Sequence, residues 1–257
     1  MNTISTLRTL AALVVCALFA ACGSDQPAGP VGNNYVVLVD ISASALKDLD
    51  GHAADIEQKL LRSMGPMDRL TILAIDDASE TFAQPLFQLD MAAKDFVNKS
   101  LPVTVRKTVA DQDRAAYVDS VQTGFSVALR SAVEERRESA KLTDIFGAFT
   151  MASKQVRPTM TNHLIVLSDM VHEGRELNFE RSFRKNANLQ QLLPNAPEAA
   201  LPFQNVLVYT GNNTELGHEK FRAVQAFWTS WFAQYNVPLR DYTSGGITTD
   251  FTRFAAR

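Results

Sequence analysis

Asp40, Ser42 and Ser44 stand at alternate positions directly after the apolar run Tyr35-Val36-Val37-Leu38-Val39. Alternate residues of extended backbone point the same way, so one carboxylate and two hydroxyls can converge on one point. Hard oxygen donors gathered at a strand end suit a hard divalent cation, Mg²⁺ or Mn²⁺. The same pattern also reads as a turn in which Ser44 caps the following helix.

The elements that must position these oxygens follow from hydrophobic periodicity. The run before Asp40 has no polar alternation, as expected of a strand buried on both faces. Arg69 to Ile75, His163 to Leu167 and Asn205 to Tyr209 repeat that signature, and Leu239 to Tyr242 supplies a last strand. Pro85 to Asp90 follows the second strand after a loop short enough for an antiparallel edge pair. Between the strands, helices are expected at Ala53 to Met64 (stopped by Gly65-Pro66), Asp111 to Lys141, after Asp144 to about Val156, Glu180 to Leu193 and Thr214 to Asn236. Trp228 and Trp231 fall at helical spacing and are expected to pack on the sheet. Residues 91 to 110 carry no readable pattern.

Apolar strands alternating with amphipathic helices predict an α/β fold: one doubly wound, mostly parallel, Rossmann-like sheet with helices on both faces and one antiparallel edge strand. Ligands of such folds sit beyond the carboxyl ends of the strands. Asp40 and Asp169 both stand at such ends. Tracing the chain up and down through the predicted elements brings Thr143, before its helix, to the same end. Asp40, Ser42, Ser44, Thr143 and Asp169 therefore share one face. Thr143-Asp144 also reads as a helix N-cap with an acidic first turn.

This set resembles the metal-ion-dependent adhesion site of the von Willebrand factor type A fold, with its Asp-x-Ser-x-Ser loop, a Thr before a helix and an Asp ending a later apolar strand. The resemblance covers the body from about Tyr35 to Tyr242. It implies one Mg²⁺ ligated directly by Ser42 and Ser44, directly or through water by Thr143, and mostly through water by Asp40 and Asp169. A cation held mainly by neutral hydroxyls keeps positive charge, so an acidic group of a protein partner can complete its shell. Family members often carry Asp-Gly at the last loop; this chain has Asp169-Met170, and a different loop shape is expected there. His172 and Glu173 read as exposed loop polars near Asp169. Asp76-Asp77 are placed near the same rim.

The address lies at the N-terminus. Arg8 and the short apolar stretch Leu10 to Ala21 read as a secretory signal, too short to span a bilayer. Phe19-Ala20-Ala21-Cys22 resembles a bacterial lipobox, which implies removal of residues 1–21 and a lipid on Cys22. An ordinary signal peptide with an incidental Cys is the other reading. Loss of Arg8 takes the formal charge from −3 to −4. Residues 22–34, rich in Gly, Pro, Ser and Asn, read as a flexible tether to a single domain spanning 35–257. Gly23 in place of Asp after the Cys points to the outer membrane if the source is Gram-negative.

Composition narrows the rest. A near-neutral charge with no long basic run argues against nucleic-acid binding. Both cysteines, Cys16 and Cys22, precede the body, which therefore has no disulfide framework and no Cys-based zinc site. With 257 residues, 46% of them hydrophobic, the chain can bury a full core. The leading expectation is a non-enzymatic, envelope-anchored binding module. A metal-dependent phosphoester hydrolase is the alternative, but no His or Lys is placed as acid or base and no Gly-rich phosphate loop occurs. A structural lipoprotein with a vestigial metal site is the third.

Overall fold

The eight residues Asn33–Asp40 form β1, and every one of them is buried. In the computed structural model, which describes residues 31–42, 45–77, 84–136, 142–174, 177–198, 200–211 and 216–254, β1 lies inside a six-stranded sheet. The other strands are β2 (Arg69–Ile75), β3 (Phe87–Asp90), β4 (Thr161–Leu167), β5 (Asn205–Tyr209) and β6 (Leu239–Thr243). Their order is β3-β2-β1-β4-β5-β6. All neighbours pair parallel except β2 with β3, which is antiparallel at the edge. This is the α/β architecture expected from the sequence. β1 begins at Asn33, where Asn33 and Asn34 pair with β4, so the stretch 22–34 read as a tether includes the start of the strand.

Burial on both faces explains why the apolar runs of β1, β4 and β5 lack polar alternation. Val36 and Leu38 pack with Leu164, Val166, Val206 and Val208 in one core. Tyr35, Val37 and Val39 pack with Ile165, Leu167, Leu207 and Tyr209 in the other. Each such side chain contributes about 1.5–3 kcal/mol by leaving water. α3 (Ile145–Ser153) and α5 (His218–Gln234) cover the first face; α1 (Leu49–Asp55) and α2 (Val103–Arg136) cover the second. Trp228 and Trp231 of α5 are fully buried, and their indole N–H groups donate to the carbonyls of Met170 and Pro197.

Three helices depart from expectation. α1 starts at Leu49 rather than Ala53, after a 3₁₀ turn at Ala45–Asp48, and continues through a π turn (Ile56–Leu60) and a 3₁₀ turn (Leu61–Ser63). α2 starts at Val103, eight residues before the expected start at Asp111. Its first buried residue is Val118, so its opening turns bury no apolar stripe that periodicity could reveal. The helix expected over Glu180 to Leu193 is two segments, α4 (Phe179–Arg184) and a 3₁₀ stretch (Leu189–Asn195). Asn186 takes a positive φ of 51° between them, and the Asn188 side chain caps the second at Gln190 N. Among the described residues no helix is long and apolar enough to cross a membrane.

Candidate metal centre

β1 lies between two strands that run parallel to it, so its carboxyl end is flanked by the carboxyl ends of β2 and β4. Asp40 pairs with Ile75 and Val39 with Leu167, which brings Ser168 and Asp169 alongside Asp40. Three short turns hold this rim. Ser42 N donates to Asp40 Oδ1 (2.9 Å), Met170 N to Ser168 Oγ (2.9 Å) and Val171 N to Asp169 Oδ1 (2.9 Å). In each, a short polar side chain binds its own backbone two residues on and turns the chain out of the strand. Ser168 Oγ, having accepted from Met170, donates to Asp40 Oδ2 at 2.7 Å and ties the two loops together.

Thr143 arrives from the other side. Its carbonyl accepts from Glu173 N (2.9 Å), and Asp144 N donates to the Asp76 carbonyl (3.2 Å). The Thr143-Asp144 peptide is thus pinned to the loops after β2 and β4, the two strands that flank β1. Asp144 is the N-cap of α3, accepting from Gly147 N at 3.0 Å. The capping role expected for this pair falls to Asp144; Thr143 is buried beside it. Ser42 is also buried. Ser44 and Cys22 lie outside the described residues.

The electrostatics of the rim are those of crowded, desolvated carboxylates. Asp40 has no exposed surface, and burial pushes its carboxyl above the usual range against the opposing hydrogen bonds from Ser168 and Ser42. Asp169 is pushed up to about 7, first by burial and then by the negative charge of Asp40. Glu173 is also raised, by burial, Glu180 and Asp40. Carboxylates that repel one another away from water would be stabilised by a divalent cation between them.

The donor set fits such an ion. The carboxylates of Asp40 and Asp169, with the hydroxyls of Ser42 and Thr143, are hard oxygens of the kind that hold Mg²⁺ or Mn²⁺. Among the described residues no three His, Cys, Asp or Glu side chains form a metal-binding group. An ion here would therefore need the hydroxyls as well as the acids. Nearby, the Tyr242 hydroxyl is buried with no hydrogen-bond partner among the described residues, and burial together with the charge of Asp169 raises its pKa.

One expectation at this rim is corrected. His172 is buried rather than exposed: its ring packs against Phe146 and Phe179, and its Nδ1 accepts from Ile145 N at 3.2 Å. Burial lowers its pKa to about 4, so it is a neutral fastener for the start of α3. Met170 takes φ +63°, the left-handed region that Gly enters most readily, so the loop does not need Gly to turn there. Ser168 and Tyr242 were not singled out from the sequence. For Ser168 the available signal was a hydroxyl beside an Asp at the end of an apolar strand. For Tyr242 there was none, because its approach to Asp169 depends on the order of the strands.

The chain matches no protein-family model and no curated protein.

Proposed function

We propose that this chain is a von Willebrand factor type A-like domain of an envelope lipoprotein, anchored through Cys22, that binds the acidic group of a protein partner across a Mg²⁺ ion. The observation that carries this reading is the pair of buried carboxylates, Asp40 and Asp169, both raised by burial and the second also by the first, at the carboxyl ends of adjacent parallel strands. Asp40 and Asp169 would neutralise and orient the site, while Ser42, Ser44 and Thr143 would hold the ion. When bound, the ion supplies an open coordination position with residual positive charge. The chain's own contribution is a rigid rim: Ser168 fixes the Asp40 carboxylate, and the pinned Thr143 peptide fixes the third loop. Binding rather than turnover is favoured because the imidazole next to the rim, His172, is buried, neutral and engaged with Ile145 N.

Calorimetric titration of the full chain with Mg²⁺ tests the site. Saturable heat that is lost in Asp40→Ala is expected; no heat in either protein ends the proposal. Capture of a partner from envelope extract that is unchanged by chelator would leave the domain as a metal-independent structural lipoprotein.

A further inference from the structure

On the α1 face a cleft of about 430 Å³ opens between α1 and the loops that follow β5 and β6. Asp48, Gly51, His52 and Asp55 line one wall, Gly211 and Gly246 line the other, and Lys59, paired with Asp55, also borders the cleft. The spacing 48, 51, 52, 55 puts all four on one side of the helix. The volume is that of a small-molecule site. It shares no residue with the proposed metal centre.

His52 distinguishes this cleft from an ordinary acidic surface. The residue is 3% exposed, and neither ring nitrogen has a hydrogen-bonding partner among the described residues. The ring nitrogens are not among the enclosed unpaired atoms of the described residues, so the imidazole faces the cleft rather than the core. Burial lowers its pKa, against the charges of Asp48 and Asp55, so the ring presents a neutral acceptor. The two carboxylates differ in commitment. Asp55 is taken by Ile247 N (2.7 Å) and the Lys59 ammonium (2.6 Å). Asp48, the N-cap of α1, makes no side-chain capping bond. Its carboxylate rests against Gly211, where a Cβ would come within 2.6 Å of Oδ2. Glycine at that position is what lets the charge sit inside the cleft.

We propose that this cleft binds a small organic cation through a primary ammonium group, which pairs with the Asp48 carboxylate and donates to a ring nitrogen of His52. An ammonium has three donors and one charge, matching an anionic acceptor beside a neutral one.

The test is titration of the full chain with 1,4-diaminobutane in the presence of chelator, following the His52 and His163 ring resonances by NMR and the heat by calorimetry. Saturable shifts confined to His52 are expected. Asp48→Asn and His52→Gln should each weaken binding about tenfold, as expected for one charge-assisted contact, and Asp40→Ala should leave it unchanged. No saturable shift, an equal response to neutral 1-butanol, or unchanged affinity in both cleft variants overturns the proposal. Because chelator is present and Asp40→Ala serves as control, failure here is separate from failure of the metal site. Thermal midpoints confirm that the variants are folded.

Discussion

The indole N–H of Trp228 donates to the carbonyl of Met170 at 2.8 Å and holds a buried, non-glycine residue in the left-handed region, one position after Asp169. A helix on one face of the sheet thereby sets the course of the loop that carries a candidate ligand. The left-handed backbone costs Met170 about 1 kcal/mol. Its fully buried side chain returns about 2–3 kcal/mol. Burial is the larger effect.

Met170→Gly should therefore destabilise the protein, by about 1–2 kcal/mol, although it relieves the backbone. Urea unfolding of the two proteins measures it. A more stable variant would mean that backbone strain outweighs packing at this turn.

Ser168→Ala removes the acceptor for Met170 N and the donor to Asp40 in one step. A cost of about 2–3 kcal/mol is expected, since a buried carboxylate loses a partner. The same variant should bind Mg²⁺ more weakly by calorimetry, because the Asp40 carboxylate is no longer held. Unchanged values on both counts would show that Ser168 is not the tie between the loops.

Asp169→Asn should act with opposite signs in the two metal states. At pH 8 in chelator it removes a buried charge that Asp40 repels, and stability should rise by about 1–2 kcal/mol. With Mg²⁺ at about a hundredfold over Kd, the native protein gains about 2.7 kcal/mol that the variant should lack. Thermal melts with and without Mg²⁺ read both effects.

His163 predicts an acid limb in the stability curve. Asn33 Nδ2 donates to Asp68 and to the Phe254 carbonyl, so its Oδ1 is left to face His163 Nε2 at 3.0 Å. Asn205 Oδ1 accepts from Arg240, so its Nδ2 faces His163 Nδ1 at 3.1 Å. The ring must therefore donate from Nε2 and accept at Nδ1, and a second proton would set a donor against a donor. Burial takes its pKa down to about 4. The unfolded chain protonates near its ordinary value of about 6.5, so between there and 4 the native state binds fewer protons and stability falls as pH falls. The loss from this residue is about 3 kcal/mol. Subtracting the curve of His163→Gln from that of the native protein isolates it; parallel curves would reject the assignment.

Local pattern was enough for the central strands because both sheet faces are buried and β1 is apolar from Tyr35 to Val39, up to Asp40. The same logic carried Asp40, Thr143 and Asp169 to one end of the sheet, since strand direction follows from counting crossovers. It failed for the start of α2, whose opening turns bury nothing and so leave no period. It failed again for Glu180 to Leu193, where Asn186 and Asn188 set caps that a helical stripe does not reveal.

Sequence by itself determined the α/β alternation and the end of the sheet at which the oxygen-bearing side chains gather, because chain direction and two-sided burial are written in residue order. Only the tertiary structure decided that His172 is a buried fastener, that Ser168 joins the β1 and β4 loops, and that Trp228 holds Met170. Those outcomes depend on which elements become neighbours, and burial, hydrogen-bond partners and proton affinity are properties of neighbours rather than of position in the chain.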